Sequence, residues 1–310
     1  MLPARAGQRV GAATVPYHAC PMTTALAIDI GGTKFEVALV GHDGGIDQRH
    51  RVSSAEATDG DELFARLAGL IERVDRRALD VCGVGAGGPM RPGGAAISPL
   101  NIPAWRDYPL HERLVDATGL PVAIDNDAKA LALAEGWRGA AVGETDFVAM
   151  VVSTGVGGGI VLDGRLLDGA AGNAGHIGHL VVEPEGTELP GHIRGVLEAE
   201  ASGTAIAFRT GAPAAEAGPA EIERAGTLVG RAVGSVANLL DLRLAVVAGS
   251  VALGYGEPFF AAAQAEVDRV ARLQHSEGTR IVPAGLGADG PLIGAAAVGF
   301  RAIGLDVGVA

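Results

Sequence analysis

Cysteine is nearly absent from this 310-residue chain. Its two cysteines, Cys20 and Cys82, are too few and too isolated for a disulfide framework or a thiolate zinc site. They fit a reducing cytoplasm. Clustered positive charge is also missing. Against 36 Asp and Glu stand 24 Lys and Arg, a formal net charge of -12, whereas a phosphate backbone is gripped by grouped Lys and Arg. This argues against a nucleic-acid partner and for a small-molecule substrate. No uninterrupted apolar run approaches the ~20 residues that a membrane-spanning helix needs, so no membrane partner is expected. Residues 1–21 carry Arg5 and Arg9 but lack the apolar stretch of a secretory signal. We read residues 1–23 as a disordered leader, with Met22 as an alternative start. What is abundant is glycine, 48 of 310 residues, roughly twice the usual ~7% and without a collagen period. That predicts many tight turns and close backbone approaches.

At this length the chain exceeds one typical domain of ~100–200 residues, so two lobes with a cleft between them are expected. Apolar stretches at 25–28 and 35–40 read as strands joined by the turn Asp29-Ile30-Gly31-Gly32-Thr33-Lys34. That is a hairpin rather than a strand-to-helix unit. Leu63, Leu67, Leu70, Ile71 and Val74 recur at helical spacing, and residues 81–86 form a short apolar strand. The Pro-, Gly- and Ser-rich stretch 91–105 reads as a long loop, a class that is frequently functional inside a compact domain. After a strand at 122–124, Asp125-Asn126-Asp127 opens an alanine-rich helix to about Trp137. Strands at 147–152 and 159–162 then repeat the opening design around Thr154-Gly155-Val156-Gly157-Gly158. Helices at 222–239 and 258–273, a strand at 244–248 ending in Gly249-Ser250, and a glycine-and-alanine helix at 289–302 complete the chain. The alternation predicts an α/β protein with a small lobe over 24–135 and a large lobe over 136–289. The helix from about 290 is expected to pack back on the small lobe.

Two successive glycines let backbone N–H groups approach phosphate oxygens with no side chain in the way. In the first turn Asp29 is suited to hold magnesium through water, and Gly31, Gly32, Thr33 and Lys34 to contact phosphate. In the second, Thr154, Gly155 and Gly157 are the counterparts. Neither turn is a Walker loop, because no Gly-Lys-Ser or Gly-Lys-Thr follows at the required spacing. One such turn is also an ordinary glycine hairpin; two, one per lobe, suit the grip on a triphosphate that phosphoryl transfer requires.

The run Val152-Ser153-Thr154-Gly155-Val156-Gly157-Gly158-Gly159-Ile160, followed by Gly169, Gly175 and Gly178-His179, resembles the signature of the ROK family of bacterial sugar kinases and repressors. With the other motifs in order, the likeness extends from about Thr24 to the C-terminus. It implies a two-lobed, actin-like ATPase fold of the hexokinase type, ribonuclease H-like in each lobe, with sugar and nucleotide in the interlobe cleft. It further implies an ATP- and Mg2+-dependent kinase that phosphorylates the 6-hydroxyl of a hexose, glucose or an N-acetylhexosamine, and a homodimer. Gly249 matches the adenosine loop, although its usual second glycine is here Ser250. Asn126-Asp127 matches the family's Asn-Asp pair. Asp127 is then the carboxylate that orients the sugar hydroxyl and accepts its proton, where the residues alone equally suit helix capping. Asn101, Asn126, His179 and Glu198 would hold the sugar, since a polyol needs several donors and acceptors converging in one cleft.

Two departures from the family pattern carry information. His176 stands where most members have a sugar-contacting glutamate, a change that also resembles bacterial N-acetylmannosamine kinases and alters the hydrogen-bond sense at that hydroxyl. The family's Cys-x-Cys-Gly-x-x-Gly-Cys zinc run is here Leu189-Pro190-Gly191-His192-Ile193-Arg194-Gly195-Val196. No metal site is expected, since His179, His192 and Glu188 are scattered ligands without a thiolate. A polyphosphate-dependent glucokinase is a rival reading, but no basic channel suits a polyanion, so ATP is the expected donor. A sugar-responsive repressor needs a helix-turn-helix domain of ~60 residues upstream, and about 24 residues precede the first strand.

Overall fold

The structure, a computed structural model, describes residues 22–54 and 59–310. The expected leader, with Cys20, lies outside the described residues up to residue 21. Strands β1 (Thr24–Ile30) and β2 (Lys34–Gly41) make the predicted antiparallel hairpin, and β3 (Ile46–Ser53) extends it at the edge. Helix α1 (Gly60–Ile71) leads to β4 (Val81–Ala86), and α2 (Leu110–Thr118) to β5 (Val122–Asn126), both strands running parallel to β1. Helix α3 (Asp127–Arg138) crosses to a second set: β6 (Phe147–Val152), β7 (Val156–Leu162) and β8 (Arg165–Leu166). Then come α4 (Leu197–Ala201), α5 (Gly203–Thr210), α6 (Pro219–Leu240), β9 (Leu244–Ala248) and α7 (Ser250–Tyr255). The chain ends through α8 (Glu257–Val270), β10 (Arg280–Pro283) and α9 (Gly290–Ala302).

The sheets have orders β3-β2-β1-β4-β5 and β8-β7-β6-β9-β10, the same topology used twice. Each has a central strand, β1 or β6, flanked by its own hairpin partner and by a parallel strand. Alternation explains how each sheet buries two faces. On β6, Phe147 and Ala149 point to a core shared with the first sheet, while Val148, Met150 and Val152 point to a core under α6 and α8. On β1, Ala25 and Ala27 join the shared core and Leu26, Ile28 and Ile30 an outer one with α1 and Trp105. The small residues are therefore on the face toward α9. A Cβ on Gly83 would lie 2.0 Å from the carbonyl oxygen of Ala295, so β4 and α9 meet backbone to backbone.

Helix α9 packs on β4, β1, β5 and β2, and α3 on α9, β6 and β7. Residue 135, where the sequence suggests a lobe boundary, lies inside α3. Glu135 is fully buried there. Its carboxylate accepts from the backbone N–H of Ala140 at 2.7 Å, Gly285 at 3.0 Å and Leu286 at 3.3 Å. One side chain thus ties both stretches of chain that pass between the sheets, with the hydrogen bonds that a buried carboxylate requires.

Candidate active site

The ends of β1, β5 and β6 open on a cleft of about 500 Å³, a size typical of small-molecule sites. It is lined from one side by Gly31, Gly32, Thr33, Asn101, Asn126 and Asp127, and from the other by Thr154, Gly155, Gly157, His176, His179 and Glu198. These are most of the residues singled out in the sequence. The first turn is Gly31–Thr33, closed by Gly31 N donating to Lys34 O at 3.0 Å. A Cβ at Gly32 would lie 2.6 Å from that of Asn101, so glycine there lets turn and loop meet. Asn101 itself sits on an ordered loop. Trp105 stacks between Phe35 and Tyr108, and Arg106 donates to the carbonyls of Pro99, Ile102 and Trp105.

The second turn is shorter than the sequence suggests. It comprises Ser153–Gly155, closed by Ser153 N donating to Gly155 O at 2.9 Å, while Gly157 and Gly158 pair with Val151 and Met150 inside β7. The glycine run misled because Gly157 also serves packing: its missing Cβ would lie 3.1 Å from that of Ala128 at the start of α3.

Helix α3 begins on the cleft wall. Asn126 is its cap, its Oδ1 accepting from Ala128 N at 3.0 Å, which leaves its amide NH2 beside Gly88. Asp127 Oδ1 accepts from the same N–H at 2.8 Å. Capping and an open carboxylate thus coexist in one corner. The Asp127 side chain is exposed to cleft solvent yet surrounded by protein at longer range. That surrounding pushes its pKa up, while the backbone N–H groups and His176 pull it down.

Asp29, at the end of β1, is half-buried, and its carboxylate accepts no hydrogen bond among the described residues. Burial first, then the carboxylates of Asp127 and Glu36, push its pKa up to about 7, against Lys34 and Arg49. The folded state therefore holds this proton more tightly than the unfolded chain, and its contribution to stability is lost as pH rises through about 7. The Asp29→Asn variant removes that loss. Its melting temperature should exceed the parent's by a margin that widens from about pH 4 to about pH 7 and then levels off. A margin independent of pH would refute the assignment.

On the far wall, Glu198 on α4 accepts from Val156 N at 2.7 Å through Oε2, and its Oε1 lies 3.1 Å from His192 Nε2. The rings of His176 and His179 stand edge to face, 5.9 Å apart. Among the described residues no group of three or more His, Cys, Asp or Glu is arranged to hold a metal ion. Glu188 is bound by Arg194 instead. Asp29, Lys34 and Gly249 are not on the cleft wall. Lys34 Nζ donates to Glu36 at 3.0 Å, and Gly249, with φ 101°, brings the end of β9 within 2.2 Å, from where a Cβ would be, of Val152 O. The sequence reading missed Ser153 and Asn173, which line the cleft, and Lys129 behind it. Asn173 lies within the Gly169–Gly175 run already noted, which was the signal available.

The sequence matches the model of the ROK family over residues 25–301. This chain belongs to the ROK family. The ROK chain is 36% identical over 249 residues to an N-acetylmannosamine kinase of Escherichia fergusonii, covering 75% of this chain and 85% of that one. Its structure resembles the ROK hexokinase of Thermus thermophilus, with TM-score 0.78, 32% identity and coverage of 91% of this chain and 99% of the other. A ROK family glucokinase of Streptomyces griseus, solved with glucose and AMPPNP, has TM-score 0.77, 25% identity and coverage of 90% and 99%. The fold is accordingly the two-lobed, actin-like fold of the hexokinase type that the doubled topology already indicates. Its sugar-kinase relatives make this ROK protein an enzyme of that class.

Proposed function

We propose that this ROK protein transfers the γ-phosphate of ATP to the 6-hydroxyl of glucose or an N-acetylhexosamine. The observation that carries the reading is the open carboxylate of Asp127, set in a cleft between two glycine hairpin turns of equivalent topology. Asp127 orients the attacking hydroxyl and accepts its proton. The Asn126 amide, Asn101, His176, His179 and Glu198 fix the sugar. The N–H groups of Gly31, Gly32 and Thr33 on one side and Thr154 and Gly155 on the other hold phosphate oxygens, with Gly157 behind them and Gly249 on the adenosine side. Asp29, an unpartnered carboxylate beside Asp127, suits a hard cation bound through water; magnesium there supplies charge neutralisation to the phosphates. Lys34 and Glu36 set the charge next to it.

The lobes we assign, 24–135 with the returning C-terminal helix and 136–289, close on the substrates as a pair. No helix of the described residues is long and apolar enough to cross a membrane, and we assign the protein to the cytoplasm as a homodimer. Coupled ADP release with ATP and Mg2+, assayed on glucose, mannose, fructose, N-acetylglucosamine and N-acetylmannosamine, should show turnover with at least one sugar. A parallel arm with polyphosphate in place of ATP releases no ADP, so it is read as sugar phosphate formed and should show less. Silence with every sugar would overturn the kinase reading.

A further inference from the structure

Lys129 lies in the first turns of α3, two residues beyond Asp127, and is only 2% exposed. Every residue from Ala128 to Trp137 of this helix is buried, and the lysine side chain is 3% exposed. A buried ammonium is costly unless charges and hydrogen bonds surround it. Its partners come from two separate segments. Nζ lies 2.9 Å from Asp125 Oδ1 at the end of β5. It lies 2.6 Å from Asp168 Oδ1 and 3.4 Å from the carbonyl of Gly172, both in the stretch after β8.

Each partner leads directly to the cleft. The Asp125 oxygen that meets the ammonium also accepts from Asn126 N at 2.8 Å, so it fixes the corner that presents Asn126 and Asp127. The backbone oxygen of Asp168 accepts from Ala174 N at 3.0 Å, closing the loop that carries Asn173 and delivers His176. Asn173 in turn donates to the carbonyl of Met90, across the cleft, at 3.3 Å. Within this loop the ammonium is the charged tie to α3, and Asp168, with a side chain 54% exposed, is held to it from the solvent side.

We propose that Lys129 is a positioning residue that sets the separation between the Asp127 corner and the sugar-facing segment 168–176. It touches neither sugar nor phosphate. It acts by fixing where Asn173 and His176 stand relative to the carboxylate, and the proposal rests on the kinase reading for its effect on catalysis. Small misplacements of this kind are amplified in rate and binding, because reacting groups must be held within about an ångström.

The test combines kinetics with backbone hydrogen exchange, which needs no turnover. Lys129→Met removes the charge at similar length, and Asp168→Asn breaks the tie from its exposed end with the least risk to folding. Both should speed amide exchange in 168–176 while leaving exchange in α6 and α8 unchanged. Both should raise the KM for sugar about tenfold or more, with the KM for ATP within about twofold. Lys129→Arg should restore much of the loss, and the double variant should be no worse than the poorer single one, as for groups acting through one contact. Unchanged exchange in 168–176 in Asp168→Asn, or equal rises in both KM values, would overturn the proposal. A parent enzyme silent on every sugar would refute the kinase reading alone, since the exchange result still judges the tie.

Discussion

Replacing Asp127 by Asn is expected to lower kcat by about 10² to 10⁴-fold, the usual contribution of a positioned general base. The substitution isolates proton acceptance from shape. Asn retains an Oδ1 to accept from Ala128 N, as Asp127 does at 2.8 Å, and Asn126 continues to cap α3. Helix and cleft should persist, with the melting temperature and the KM for ATP little changed. What is lost is the capacity to take a proton from the hydroxyl. Asp127 must be ionised to do so, and its surroundings push its pKa above the ordinary carboxylate range. The parent's kcat/KM should therefore fall on the acid side of its profile, a limb missing from the residual activity of the variant. Retention of activity within about tenfold would remove Asp127 from the mechanism.

Substituting Gly83 by Ala should destabilise the fold by about 1–3 kcal/mol or more, the cost of overpacking a closed interior. The added methyl would meet the Ala295 carbonyl at 2.0 Å and Gly299 N at 2.8 Å, both backbone atoms that no side-chain rotation can clear. Helix α9 must move off β4, and a drop of several degrees in melting temperature follows. Gly69 in α1 is the control, because a Cβ there meets nothing within 4 Å. Gly69→Ala should be neutral or stabilising by about 0.5–1 kcal/mol. Equal melting of the Gly83→Ala variant and the parent would show that α9 does not press on β4 as described.

The elements legible in the sequence were those with apolar runs or strong helical periodicity: β1, β2, β4, β5, β6, β9, α1, α3, α6, α8 and α9, with the second half of β7. Edge strand β3, Ile-Asp-Gln-Arg-His-Arg-Val-Ser, was missed because one face is solvated and its polar residues break any apolar run. Helices α4 and α5 are short, and α7 follows a glycine with positive φ, so none has the length that makes periodicity visible. The cleft residues were legible through the family's ordered motifs. Their neighbours were less so. A lone lysine in an alanine-rich helix reads as a solvated face, and only the packing of α3 on both sides makes Lys129 a buried charge with three partners. The sequence likewise gives no sign that Lys34 pairs with Glu36, which lies directly opposite Asp29 on the neighbouring strand.

The packing of α9 on the first sheet also orders events on the ribosome. Strands β1 to β5 leave the ribosome early, but the helix that covers their inner face lies more than 160 residues further along the chain. At synthesis rates of about 5–20 residues per second that face waits roughly ten seconds or more for its cover. The residues it shows meanwhile are mostly small, Ala25, Ala27, Ala38 and Gly83 beside Val40 and Val81, whereas Leu26, Ile28 and Ile30 point to the other face, where α1 follows soon after. The same small side chains that admit α9 so closely make the nascent sheet a poor surface for unwanted association.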